Sequence, residues 1–337
     1  MYVIYHSSDA FADVTGVSIA SLFENNQHFN EIHVLYIEKG MSEKNKGKLQ
    51  QLAETYGRTI EFMKMPNWSK KLNITLKTSK KGWLGFGYNR LFLTEYVPET
   101  VDKVLYLDSD TVIEEKLDDL WNTDLTGYYM AGVDDCLSRE YRGIVDMTGD
   151  GVYCNAGMLL FNLKKWREDN VTELFLKMVY ENNGYFVFND QTILNSAFCG
   201  KVKILPQKYN VNSLVYLFEY KELMHLRHPL HFSYSKEEFY DARLHPVITH
   251  YTGNFYVNRR PWVENSDHPH KDAYLKYKAL TPWKDAPLKE STRKKSTRIF
   301  ANICHVLPRP LMILLVSVLY NKIRPMVFRK NIKKERQ

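Results

Sequence analysis

Val104-Leu105-Tyr106-Leu107-Asp108-Ser109-Asp110 is the stretch on which the reading of the chain turns. Four apolar residues stop abruptly at Asp-Ser-Asp. A short apolar run bounded by polar residues fits a strand covered on both faces, as in a parallel sheet. In open α/β sheets, ligands sit beyond the carboxyl ends of such strands. Two carboxylates one residue apart can aim oxygen atoms at one divalent cation, and hard oxygen ligands suit Mg2+ or Mn2+. Such a cation would neutralise phosphate and favour departure of a nucleoside diphosphate. A bare Asp-x-Asp is equally the composition of a solvated turn or a helix cap.

Working outward, strand-like and helix-like segments alternate. Val3–Tyr5, Ile32–Ile37, Thr59–Met63 and Lys103–Leu107 are apolar runs of strand length. Between them, Asp13–Glu24 carries Val14, Val17, Ser21 and Leu22 on one side. Ser42–Tyr56 is polar and Lys-rich, with Ser42 placed to cap it. Tyr88, Leu91, Phe92 and Tyr96 keep helical spacing up to Pro98. This order predicts an α/β fold with a mostly parallel, Rossmann-like central sheet and flanking helices. Further on, Tyr128–Val133 and Met158–Phe161 read as buried strands. Val171, Leu174, Phe175, Met178 and Val179 form an amphipathic helical stripe. From Gln207 to Trp283 no clean period holds, so short elements and loops are expected there.

The 337 residues carry a formal net charge of +7, but it is unevenly spread. Leu288–Gln337 holds 13 Lys/Arg and 2 Asp/Glu, a net of +11, and leaves the first 287 residues at −4. A mildly acidic body with a basic tail is no general nucleic-acid binder, and no nucleic-acid motif accompanies the tail. Four cysteines (Cys136, Cys154, Cys199, Cys304) form no CxxC pair and no disulfide framework. Met1–Tyr5 runs directly into His6-Ser7-Ser8-Asp9, unlike a secretion signal. A cytoplasmic protein is expected.

His250 follows the apolar Val247-Ile248-Thr249 and precedes Tyr251-Thr252-Gly253. Imidazole suits Mn2+ better than Mg2+, yet one histidine alone is more readily a satisfied core or loop residue than a ligand. Four motifs in order change the weighing. Leu105–Asp110, Asn155-Ala156-Gly157, Asn189-Asp190-Gln191-Thr192-Ile193-Leu194-Asn195, and His250–Gly253 ending in Arg260-Pro261-Trp262 together resemble glycosyltransferase family 8. This family comprises retaining GT-A enzymes, among them bacterial lipooligosaccharide galactosyltransferases. The resemblance runs from about Tyr2 to Trp262.

The resemblance implies a GT-A domain over residues 1–285 that binds a UDP-sugar donor and Mn2+, with Mg2+ as the alternative ion. Asp108, Asp110 and His250 match the metal ligands. Gly253 matches a glycine that approaches the diphosphate. Arg260 stands where the family usually has Lys, with Arg259 beside it, and the His250-to-Trp262 loop is longer than usual. Ser8, Asp9 and Phe11 match the uridine segment, although Ala10 replaces a usual Asn; Phe11 is either a uracil platform or a core aromatic. Arg90 and Ser109 belong with the donor, while Asn155 and Ala156 line its sugar. Asp190 and Gln191 match the residues at the anomeric carbon, and Asp134 an acceptor-side carboxylate. As no carboxylate stands out as a nucleophile, a front-face route is expected, with the leaving diphosphate taking the acceptor proton.

Residues 286–337 are expected to form a basic, amphipathic membrane-association segment, helical in part. Its Lys/Arg clusters surround the apolar Leu311–Tyr320, a pattern suited to the inner face of a plasma membrane. The expected acceptor is a glycan or lipid-linked molecule of bacterial surface polysaccharide synthesis. The competing reading is a non-catalytic, membrane-attached glycan-binding or scaffold protein.

Overall fold

The computed structural model describes residues 1–65, 88–253 and 260–336. The main sheet contains β1 (Tyr2–Ser8), β2 (His33–Lys39), β3 (Ile60–Lys64), β4 (Lys103–Leu107), β6 (Met130–Asp134), β7 (Cys154–Asn162) and β8 (Val202–Ile204). A smaller sheet contains β5 (Thr111–Ile113), β9 (Val211–Asn212) and β10 (Ile248–His250). The main sheet has the order β3-β2-β1-β4-β7-β6-β8. Its strands run parallel apart from β7, which is antiparallel to both β4 and β6.

Alternation along each strand divides the core in two. Val3, Tyr5, Val34, Tyr36, Leu105 and Leu107 point to one side, against Ile19, Leu22 and Phe23 of the helix Ala12–Asn25. Ile4, Leu35, Ile37, Val104 and Tyr106 point to the other, against Trp166, Phe175, Val179 and Ile193. Helices thus cover both faces, as a continuous apolar strand requires. Ser42 caps Glu43–Thr55 as the sequence predicts, its side chain accepting from Asn45 N at 3.3 Å. The stretch after Tyr88 is a 3-10 run, Asn89–Glu95, rather than an α-helix.

The reversed strand positions the site. Because β7 runs against β4, with Met158 opposite Leu107, its first residues lie beside the Asp108–Asp110 turn. The carbonyl of Gly157 accepts from the Asp108 amide at 2.7 Å. Asp134, at the end of β6, pairs with Cys154 at the same end. In the smaller sheet, β10 pairs with β5 so that His250 faces Thr111.

The basic tail is helical and docked. Lys295–Val306, Arg309–Val318 and Arg324–Arg336 are α-helices, the last two joined by a π-helical turn. Met312, Ile313 and Val316 are buried against Leu214, Phe218, Leu223 and Leu226 of the body. Tyr320 packs with Tyr141 and Leu137. Arg309 forks onto Glu222, Nε to Oε1 at 3.0 Å and Nη2 to Oε2 at 2.6 Å. An aspartate at Val316, which is 0% exposed, would be an unpaired charge in that interface. Val316→Asp is expected to cost about 3 kcal/mol or more, while Leu314→Asp, at a position 52% exposed, should leave the thermal unfolding midpoint nearly unchanged.

Candidate active site

Asp108 and Asp110 extend from the end of β4, and His250 arrives from β10. One ligand atom from each lies within 4.8 Å of the others. His250 Nε2 is 3.2 Å from Asp110 Oδ1 and 3.8 Å from Asp108 Oδ2. Its other ring nitrogen is 3.0 Å from Asn210 Oδ1. An amide oxygen only accepts, so Nδ1 carries a proton and Nε2 is the ring nitrogen that faces the carboxylates. Two carboxylate oxygens and a borderline nitrogen make a donor set that fits a divalent cation.

The electrostatics agree. Burial alone would raise the Asp110 carboxyl, but His250 and Arg260 outweigh it and hold the group below its ordinary value. Burial would likewise lower His250, yet Asp110 and Asp108 raise it. The cluster is a place where positive charge is favoured. Gly157 explains how the ring fits: a Cβ there would overlap the His250 imidazole, so glycine is required for close approach.

Around the cluster, Arg90 is buried and forms ion pairs with Asp108 Oδ1, at 3.3 Å, and with Asp190. It also donates to Ala156 O and stacks on the Tyr106 ring. It is no surface charge. Burial pushes the Asp190 carboxyl up to about 6, against the pull of Arg90. Asp190 opens the helix Asp190–Ala197, after Asn189 with its positive φ of 52°. Gln191 Oε1 accepts from Ala156 N at 2.9 Å. Ser109 Oγ donates to His6 O at 3.2 Å. Arg260 Nη2 is 3.6 Å from Asp110 Oδ2, and a Cβ on Gly253 would lie 2.9 Å from that same nitrogen. Arg259 lies outside the described residues.

A comparison with family models matches residues 2–266 to "Glycosyl transferase family 8". The chain belongs to this family. It is 24% identical over 286 residues to general stress protein A of Bacillus subtilis strain 168, covering 84% of this chain and 94% of that one. It is 28% identical over 288 residues to a lipopolysaccharide 1,2-glucosyltransferase of Escherichia coli, covering 82% and 78%. Among solved structures, galactosyltransferase LgtC in complex with donor and acceptor sugar analogues superposes with a TM-score of 0.68 at 24% identity, covering 89% of this chain and 100% of that one. The GT-A architecture expected of the glycosyltransferase is therefore its architecture.

At the far end of the site, Phe11 of this glycosyltransferase is 37% exposed and meets Trp262 edge-on at 6.2 Å. It is not a core aromatic. Ser8 ends β1 beside it. The Asp9 carboxylate is engaged through Oδ1, which accepts from Ser42 N, Ser42 Oγ and Asn45 Nδ2, each at 2.8 Å. It ties β1 to the start of Glu43–Thr55. Asp134 is buried and accepts from Cys136 N, Ser233 N and Ser233 Oγ, so its oxygens hold a loop in place. Its neighbour Asp135 is the one that reaches Asn155 and Gln191.

Sequence reasoning passed over Asp135 and Asn210. Asp135 had a signal in the Asp134-Asp135 pair that closes β6, but a strand's end does not reveal which carboxylate turns inward. Asn210 sits in the aperiodic stretch and offered none. If the trio binds a cation, Mn2+ should raise the thermal unfolding midpoint of the protein. Gly157→Ala, which displaces the His250 ring, and Asp110→Asn should each abolish that shift.

Proposed function

We propose that this chain is a retaining hexosyltransferase. It moves galactose or glucose from a UDP-sugar to a glycan or lipid-linked acceptor in bacterial cell-surface polysaccharide synthesis. The observation that carries the reading is the Asp108–Asp110–His250 cluster at the end of β4, flanked by Arg90 and Arg260. Two carboxylates, a tautomer-fixed imidazole and two guanidinium groups are the chemistry a metal–diphosphate pair needs. Mn2+ bound there would supply Lewis acidity for the departing diphosphate.

The chain's own groups divide the work. Arg260 neutralises the diphosphate beside Gly253, where no side chain intervenes. Phe11, exposed on Trp262, offers a face to uracil, with Ser8 and Asp9 beside it. Asn155 and Ala156 line the sugar. Arg90 fixes Asp190, and Asp190 and Gln191 orient the sugar hydroxyls and face the anomeric carbon. Because the Asp190 carboxylate is paired to Arg90, a front-face displacement is favoured over attack by this residue. The acceptor hydroxyl then gives its proton to the leaving diphosphate as the new glycosidic bond forms on the face the diphosphate leaves.

The C-terminal segment, residues 286–337, is proposed as the membrane contact of a cytoplasmic enzyme. Ile299, Ile303 and Val306 form one exposed stripe, and Leu311, Leu314 and Val318 a second. Each spans two turns at helical spacing, and Lys294, Lys295, Arg298, Lys322 and Arg324 flank them. An apolar face rimmed by cations suits an anionic lipid surface. The continuous helix Arg309–Glu335 is long and apolar enough to cross a bilayer, but 39% of its most apolar window is buried. That burial against the body favours lying on the surface.

Two measurements test these readings. Across a panel of UDP-sugars with acceptor lipids, UDP release should require Mn2+ and fall about a hundredfold or more in Asp110→Asn and His250→Ala. No release from any UDP-sugar would favour a scaffold instead. Wild-type protein should sediment with phosphatidylglycerol vesicles and not with phosphatidylcholine vesicles. Leu314→Asp combined with Val318→Asp should lose that binding and keep UDP release.

A further inference from the structure

Behind the metal cluster runs a line of hydrogen bonds whose directions can be worked out from two backbone amides. The Gly157 N–H donates to Asn155 Oδ1 at 2.9 Å, so the Asn155 NH2 group must point the other way. It donates to Asp135 Oδ1 at 2.8 Å. Since Asn155 presents oxygen to Asn210, that residue donates to it through Nδ2 at 3.1 Å. This turns the Asn210 oxygen toward His250 Nδ1. On the other side, the Ala156 N–H donates to Gln191 Oε1, which leaves the Gln191 NH2 group facing Asp135 Oδ2 at 3.3 Å. The donors therefore converge: His250 to Asn210, Asn210 to Asn155, Asn155 to Asp135, and Gln191 to Asp135.

We propose that Asp135 is the positioning residue of this site, a carboxylate that orients the Gln191 amide at the sugar and joins it through Asn155 and Asn210 to His250. The inference rests on the transferase reading above. A carboxylate is the one side chain of this size that accepts on both sides. Asp135 is itself held in place, its amide donating to Tyr153 O at 2.9 Å. An amide at this position has one oxygen and one NH2 group. It can serve Asn155 or Gln191, but at the other partner NH2 would face NH2. Neither partner can rotate to relieve this, because each oxygen is already engaged by a backbone N–H of β7. A part-buried donor left without its acceptor then swings out of place.

A double-mutant cycle tests the proposal. Asp135→Asn should lower kcat about ten- to hundredfold, with KM for the UDP-sugar changed less than about threefold. Gln191→Glu in the same chain restores complementarity. One Glu oxygen accepts from Ala156 N–H and the other from the Asn NH2 group, while the Asn oxygen accepts from Asn155. The double variant should therefore exceed the product of the two single-variant effects on kcat by about tenfold or more, and its thermal midpoint should lie above that of Asp135→Asn. The proposal is overturned if Asp135→Asn has wild-type kcat, if it loses activity only in proportion to folded protein, or if the two substitutions combine without coupling. Should Asp135→Asn not fold, the double variant is still expected to fold, and its failure overturns the proposal too. If the wild type turns over no UDP-sugar, the transferase reading fails, and coupling between the thermal midpoints still decides whether Asp135 and Gln191 act as a pair.

Discussion

Two carboxylates placed one residue apart at the end of a buried strand repel each other, and much of the molecule is arranged around that repulsion. Asp108 and Asp110 are held by Arg90 on one side and by His250 and Arg260 on the other. Each cation comes from a different part of the chain: the 3-10 run before β4, strand β10, and the segment preceding Trp262. Their meeting at one point depends on two strand pairings. β7 must run antiparallel to bring Gly157 beside Asp108, and β10 must pair with β5 to bring His250 beside Asp110. The glycine at 157 links the two, since the imidazole lies where a side chain would be.

The same end of the sheet carries the polar network that reaches Gln191. Buried polar groups are costly unless each finds a partner. Here the partners form a continuous line from His250 to Gln191 in which two backbone amides of β7 fix the direction. β7 thus does more than fill a gap in the sheet. Its amides set the amide orientations, its residue 157 admits the imidazole, and its Asn155 sits at the middle of the line. A parallel strand at this place would present its carboxyl end here and could offer none of these groups in this order.

The tail shows the same economy. Its helices are amphipathic twice over, with Met312, Ile313, Val316 and Tyr320 facing the body and Leu311, Leu314 and Val318 facing outward. Sequence alone shows an apolar run among cations; it does not say which apolar residues are already covered. The structure divides them into a half covered by the body and a half left exposed. Residues 286–337 are therefore joined to the body by a core of their own as well as by covalent connection.

Much of the architecture was legible in order. The strands Val3–Tyr5, Ile32–Ile37, Thr59–Met63 and Lys103–Leu107 read correctly because a strand buried on both faces is apolar without interruption, a signal carried by consecutive residues. Asp108 and Asp110 stood out as two carboxylates at a strand end, whereas His250 joined them only through the family resemblance, and the fold brings the three side chains together. What remained hidden depended on direction. Asp134 and Asp135 are adjacent and alike in sequence, and only the bulge between β6 and β7 decides that Asp134 holds Ser233 while Asp135 meets Gln191. Asn210 lies 40 residues before His250, and nothing local marks it as the partner that sets the imidazole tautomer. The sequence by itself determined the α/β order and the uneven charge, because each is written in residue type and spacing. The tertiary structure alone decided which carboxylate turns inward, which amide faces which, and which side of the tail is covered, because orientation is set by pairing between strands distant in the chain.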